Sequence, residues 1–264
     1  MLSPGDRFER YVVDAVLGHG GYATVYLVHD AATPQPAALK ILDAGHRHQA
    51  QVARLRREFE LAHRLDHPHI VRVFERGSGW LTMEVVDGGG VATLTETADR
   101  LAALSQIADA LDYTHNRAVV HCDVKPANIR VGSDPDHLRA VLIDFGTAHS
   151  MTDDIGRRPT QAEVSLPYSA PELITGHAPT SATDEYALAC TAVELITGAP
   201  PFTDDSSIGL IRAHLYRSPP RWSREIRWLP RVFDTIMAKA MAKEPTDRYQ
   251  SCRELVSLLT RALH

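Results

Sequence analysis

The stretch that decides the fold is His121-Cys122-Asp123-Val124-Lys125-Pro126-Ala127-Asn128, followed sixteen residues after Asn128 by Asp144-Phe145-Gly146. Val119-Val120 precedes the first cluster and Val141-Leu142-Ile143 the second, short β-branched and aliphatic runs that read as strands. Both polar clusters therefore belong to loops at strand ends. Any one of these side chains could be an ordinary loop capper. The joint arrangement of acid, lysine, amide and second acid is what carries information.

Upstream lies Leu17-Gly18-His19-Gly20-Gly21-Tyr22-Ala23-Thr24-Val25, between two runs that both read as strands. A dinucleotide fold would instead have its glycine turn open a helix. Glycines let a backbone approach phosphates closely and aim N–H groups at them, although alone this stretch reads equally as a glycine-rich hairpin. Lys40 ends the apolar run Ala37-Ala38-Leu39. An ammonium on a core strand is costly unless paired, the alternative being an edge lysine that snorkels to water. Its carboxylate is expected to be Glu58, on a helix spanning 51–65, whereas Glu60 is turned away by its position on that helix. Phosphoryl transfer needs a carboxylate to orient the attacking hydroxyl, a cation at the γ-phosphate, oxygen ligands for Mg²⁺ and a cover over the phosphates. Asp123, Lys125, Asn128 with Asp144, and the glycine loop match these in turn. Carboxylate and amide oxygens suit hard Mg²⁺, with Mn²⁺ as a substitute.

The chain resembles the protein kinase superfamily, and the resemblance runs over nearly its whole length. Glycine loop, strand lysine, catalytic loop, Asp-Phe-Gly and Ala170-Pro171-Glu172 follow one another in family order. His67-Pro68-His69-Ile70-Val71, Lys125-Pro126-Ala127-Asn128-Ile129 and Ala242-Lys243-Glu244-Pro245-Thr246-Asp247-Arg248 resemble the bacterial Ser/Thr kinases. The resemblance implies an α+β, two-lobed kinase-like fold: an antiparallel sheet with one helix, then a mainly helical lobe. It implies an ATP-dependent Ser/Thr protein kinase that also phosphorylates itself. Lys40 would grip the α/β-phosphates and pair with Glu58, and Asp123 would be the catalytic base. Asn128 and Asp144 would hold the metal. Leu17, Gly18, Gly20, Val25 and Ala38 would surround ATP, with Met83 gating the adenine pocket and Glu84 and Val86 offering hinge backbone. Lys125, two residues after the base, goes with Ser/Thr specificity, with Ser165 as its hydroxyl partner in the substrate-docking strip. Asp184 would brace the catalytic loop, and Glu172 would pair with Arg248 as a structural link.

Two positions depart from the family pattern. Ala23 replaces the third glycine of the loop, a small change. Cys122 stands where many kinases carry an arginine that receives an activation-loop phosphate, and a thiol cannot make that charge-assisted contact. Activity is therefore expected not to depend on that phosphate, although Thr152, Thr160 and Ser165 remain candidate phosphosites. Cys122 reads as a small filler.

The remaining sequence fits this organisation. Runs 11–17, 23–29, 37–41, 70–75 and 81–86 read as strands. The triplet Gly88-Gly89-Gly90 reads as a flexible joint, which divides the chain into 1–86, the nucleotide-binding lobe, and 87–264, the catalytic and substrate-docking lobe. Leu101, Leu104, Ile107, Leu111 and His115 form one helical stripe, and 184–195 is apolar nearly all round, as a fully buried helix is. Amphipathic helices are expected at 230–242 and 251–262. The 264 residues carry 28 bases against 33 acids, and 44% of them are hydrophobic. That composition excludes disorder, and the net charge of −5 argues against a general nucleic-acid binder. The excess acid lies wholly in 87–264, which favours basic protein substrates. Three cysteines are too few for a disulfide framework, and no apolar run approaches a membrane span. A cytoplasmic enzyme without nucleic-acid or membrane contact is expected, regulated by a partner protein, by homodimerisation or by its expression. A nucleotide-binding scaffold would lack one of the catalytic groups, and a small-molecule kinase would lack the 165–172 docking strip. The arginine row Arg217, Arg221, Arg224, Arg227 and Arg231 reads either as a docking patch or, more simply, as a solvated face.

Overall fold

The computed structural model describes residues 1–33, 35–134, 137–152 and 165–263. Thr160 lies outside the described residues. The chain divides into two compact units: Met1–Asp66 with Ile70–Asp87 and Asp144–Gly146, and His67–His69 with Gly88–Ile143 and Thr147–His264.

The first unit is a six-stranded antiparallel sheet with one long helix. Its strands are β1 (Arg7–Phe8), β2 (Tyr11–His19), β3 (Ala23–Asp30), β4 (Pro36–Leu42), β5 (Val73–Gly77) and β6 (Trp80–Met83), in the order β1-β2-β3-β4-β6-β5. Alternation sorts the side chains into two faces. One face gathers Tyr11, Val13, Tyr26, Val28, Leu39 and Ile41, with Trp80 packed against them. The other gathers Ala23, Leu42 and Leu81 against Leu55 of helix α1 (Gln49–Ala62). Val25, Lys40 and Leu81 lie directly opposite one another across three strands, and Ala38 lies opposite Met83. Lys40 and the residues expected around adenine thus share one sheet face. Bulges in β2 at Val13/Ala15 and Val16/Gly18 bend the strand as it enters the glycine loop.

The second unit is mainly helical: α2 (Thr97–His115), α3 (Pro171–Ile174), α4 (Ser181–Thr197), α5 (Ser207–Tyr216), α6 (Arg231–Ala240) and α7 (Cys252–Leu263). Short pairs cross it, β7 (Val119–Val120) with β10 (His149–Ser150) and β8 (Ile129–Val131) with β9 (Ala140–Leu142). α4 is buried along nearly all its length. A capping box at Thr180 and Thr183 starts it, and Gly198 at φ +90 ends it, a left-handed conformation that favours glycine.

Several expected boundaries shift for physical reasons. α1 stops at Ala62 rather than Leu65, because Arg64 and Leu65 close tighter turns onto Leu61 O and Ala62 O. β6 stops at Met83 rather than Val86; two residues on, its register would face Pro36, which has no N–H. β5 begins at Val73, three residues later than expected. Two glycines of the triplet, Gly88 and Gly89, sit where neighbouring groups approach closely. A Cβ on Gly88 would lie 2.0 Å from Val131 O, and one on Gly89 2.7 Å from Thr93 Oγ1. Val131 N–H donates to Gly89 O at 2.9 Å and Arg130 Nη2 to Gly88 O at 2.6 Å. These glycines are small so that two backbones can meet.

Candidate active site

In the first unit the site grows from β4 and α1. Alternation puts Lys40 on the α1 side of the sheet, where it is 6% exposed; Glu58, 4% exposed, faces it from the helix. Lys40 Nζ donates to Glu58 Oε1 at 2.7 Å, Glu58 Oε2 at 2.9 Å and Asp144 Oδ1 at 3.0 Å. Burial alone would discharge the ammonium, but Asp144 and Glu58 outweigh it and hold Lys40 charged well beyond its ordinary range. The same burial pushes Glu58 up to about 7, against the pull of Lys40. Glu60 instead pairs with Arg56 at 2.7 Å on the solvent side.

Asp144 sits at φ +66, where a non-glycine residue costs about 1–2 kcal/mol. Its Oδ1 also accepts Gly146 N–H at 3.2 Å, closing a tight turn. A Cβ on Gly146 would fall 3.0 Å from Asp144 Oδ1, 3.0 Å from Tyr22 Oη and 3.2 Å from Glu58 Oε2, so a larger residue would press on all three side chains. Arg54, one turn before Glu58, donates to Gly146 O at 3.0 Å and lies over the Tyr22 ring at 4.9 Å. Tyr22 therefore reaches from the glycine loop to the Lys40 cluster. Sequence reasoning did not single out Tyr22 or Arg54 for this; the available signal was an aromatic among glycines.

In the second unit the loop after β7 is hung from α4. Asp184, fully buried, accepts His121 N–H through Oδ2 and Cys122 N–H through Oδ1, both at 2.8 Å. His115 Nε2 also donates to Asp184 Oδ2, at 2.8 Å. His121 Nδ1 accepts Asp123 N–H at 3.3 Å while Nε2 donates to Ile143 O at 3.2 Å, which fixes the tautomer. Asp123 Oδ2 accepts Lys125 Nζ at 2.7 Å and Asn128 Nδ2 at 3.0 Å. Lys125 Nζ donates on to Ser165 Oγ at 2.6 Å. With its amide nitrogen committed to Asp123, Asn128 presents its oxygen, the donor type that Mg²⁺ takes; the Asp144 carboxylate is of the same hard class. Each of the two donors is thus of the class that the metal takes. His115 was read from sequence only as part of an apolar stripe, although a histidine ending such a stripe needs a buried partner.

Cys122 has φ +66 and packs with Val120 and Leu173, its Sγ 3.7 Å from Val120 O. Glu172 and Arg248 form a bidentate pair, both contacts at 2.8 Å. Arg248 uses its other donors on Ala182 O, Ala242 O and Lys243 O. The five arginines of the row are exposed, whereas Trp222 is buried edge-on against Phe233.

A family profile described as "Protein kinase domain" matches residues 11–259. The chain is 35% identical over 280 aligned residues to serine/threonine-protein kinase PknJ of Mycobacterium tuberculosis, covering 100% of this chain and 47% of that protein. To serine/threonine-protein kinase PknF of the same organism it is 36% identical over 277, covering 99% and 58%. The chain thus spans about half the length of these curated relatives. The crystal structure of the M. tuberculosis PknI kinase domain matches with TM-score 0.75 at 33% identity, covering 99% of this chain and 100% of that one. Among the described residues no helix is long and apolar enough to cross a membrane.

Proposed function

The chain belongs to the protein kinase family and is similar to its bacterial serine/threonine members, and on that premise we propose that it transfers the γ-phosphoryl of ATP to serine and threonine hydroxyls of proteins. The observation that carries this reading is the hydrogen-bonded set Asp123, Lys125, Asn128 and Ser165. Asp123 orients the attacking hydroxyl and receives its proton. Lys125, held on Asp123, neutralises charge on the transferred group, and Ser165 aligns the hydroxyl-bearing peptide. Lys40, fixed by Glu58, binds the α/β-phosphates. Leu17, Gly18, Gly20, Val25, Ala38, Met83 and Val86 enclose the nucleotide. Glu84 offers adenine its carbonyl, since its N–H is bonded to Arg72 O. Asn128 and Asp144 would hold Mg²⁺, whose contribution is to neutralise phosphate charge.

Cys122 gives this enzyme an activation route without loop phosphate docking at that position. The thiol is buried among apolar side chains and offers no charge to a phosphate. Substrates are basic proteins, by the acidic balance of the second unit. The test is transfer of label from γ-labelled ATP with Mg²⁺ to a basic acceptor protein. The wild type should label serine and threonine, and Lys40→Met should lose most of that transfer. Equal labelling by the variant would overturn the role of Lys40. A folded wild type that binds nucleotide but transfers nothing would favour the scaffold reading.

A further inference from the structure

Behind the catalytic loop, on the far side of Asp184, lies a second cluster made by α2 and α7. It comprises Asp112 and His115 of α2 and Cys252 at the start of α7, one ligand-type atom from each lying within 4.8 Å of the others. Cys252 is 1% exposed, and the side chains of His115 and Asp112 are 9% and 16% exposed.

The hydrogen bonds fix which atoms face one another. Asp184 takes two backbone N–H groups, one on each oxygen, and so serves as an acceptor; the His115 proton it receives is therefore on Nε2. His115 Nδ1 then faces Asp112 Oδ1, 4.0 Å away. Asp112 is itself held by Cys252 N–H on Oδ1 at 2.9 Å and Arg253 N–H on Oδ2 at 3.1 Å. The Cys252 thiol also hydrogen-bonds the Asp112 carboxylate. Sulfur, carboxylate oxygen and ring nitrogen therefore converge on one point, a donor mixture suited to a borderline-soft cation that takes the place of the thiol proton.

We propose that Asp112, His115 and Cys252 form a binding site for a divalent cation of the zinc class, with water as the fourth ligand. Zn²⁺ takes sulfur at about 2.3 Å and nitrogen or oxygen at about 2.0–2.2 Å, so tetrahedral ligands stand about 3.3–3.6 Å apart, a small contraction from the present spacing. Mg²⁺ would require an octahedron of oxygens and is a poor match. The surroundings are those of a built site: a ligating histidine donates its other ring N–H to a carboxylate, and the ligating carboxylate is anchored by backbone N–H groups. Burial and the nearby Asp112, Asp184 and Glu185 carboxylates push the Cys252 thiol well up, so without metal it keeps its proton. Binding displaces that proton to solvent and involves no change of oxidation state. The ion would tie the end of α2 to the start of α7 and, through His115 and Asp184, stiffen the backbone that carries Asp123.

The test is a titration of chelator-stripped purified chain with Co²⁺ alone as a spectroscopic probe, followed by competition with Zn²⁺. The wild type should take up one equivalent with tetrahedral d–d bands and a thiolate-to-cobalt charge-transfer band, both erased by Zn²⁺. Cys252→Ser should lose the charge-transfer band. Asp112→Asn should weaken uptake by at least about tenfold, since even changes one shell further out cost about 10–100-fold. Should either variant fail to fold, alkylation of the unaltered chain with peptide mapping replaces it: Zn²⁺ should protect Cys252 and leave the rates at Cys122 and Cys190 unchanged. A Co²⁺ spectrum without the sulfur band, or a folded wild type that takes up no stoichiometric metal, would overturn the proposal. So would a nitrogen NMR spectrum showing His115 protonated on both ring atoms in the presence of Zn²⁺.

Discussion

A buried ammonium and its carboxylates are stable only as a set. Lys40 Nζ lies within 3.0 Å of both Glu58 and Asp144, and removing it leaves the buried Glu58 carboxylate without its ammonium. Lys40→Met should therefore fail twice, losing phosphoryl transfer and destabilising the first unit by about 3–5 kcal/mol. Urea denaturation checks the second loss independently of any assay. Cys122 makes the opposite kind of prediction. Because its thiol is packed against Val120 and Leu173, Thr152→Ala combined with Thr160→Ala should leave phosphorylation of an added protein within a few-fold of wild type. A near-complete loss, measured as initial rate, would show that loop phosphate is required and is read elsewhere.

At the scale of elements, the catalytic loop is positioned by a helix it does not follow in sequence. Asp184 of α4 uses both oxygens to hold the loop's N–H groups, and asparagine could offer only one acceptor while turning an NH₂ toward a donor. Asp184→Asn should lower kcat by about 10²-fold through misplacement of Asp123, with KM for ATP little changed. Steady-state kinetics separate the two, and a matched rise in KM would point to a wider collapse. Much of this arrangement was legible beforehand. The Lys40–Glu58 choice followed from helix geometry, and the depth of α4 from its apolar composition. What escaped reading depends on contacts distant in sequence: the two-residue strands β1 and β10, the glycines that admit Val131, the reach of Arg54 to Gly146, and the bond from His115 to Asp184. Local pattern carries no sign of such partners, whereas a run of Gly, Asp or Pro announces only that a turn is near.

At the scale of the whole molecule, the second unit is pinned by buried polar groups that respond to acid. His214 is fully buried, bonded to Tyr186 Oη at 3.0 Å, and pushed down to about 4 by burial and the charge of Lys243. An unfolded histidine titrates near 6.5, so between those values the unfolded chain binds a proton that the folded one refuses. Stability should fall as pH drops through that window, by up to about 1.4 kcal/mol per pH unit from this residue. Melting curves of wild type and His214→Gln from pH 7 to 4.5 should converge as pH falls, and parallel curves would contradict the assignment. The central claim is that the chain is a working phosphotransferase, and mass spectrometry of phosphate on purified protein incubated with ATP and Mg²⁺ tests it most directly. The wild type should carry phosphoserine or phosphothreonine that Asp144→Asn, purified alike, does not. Equal phosphate on both forms, or none on a folded wild type, would contradict it.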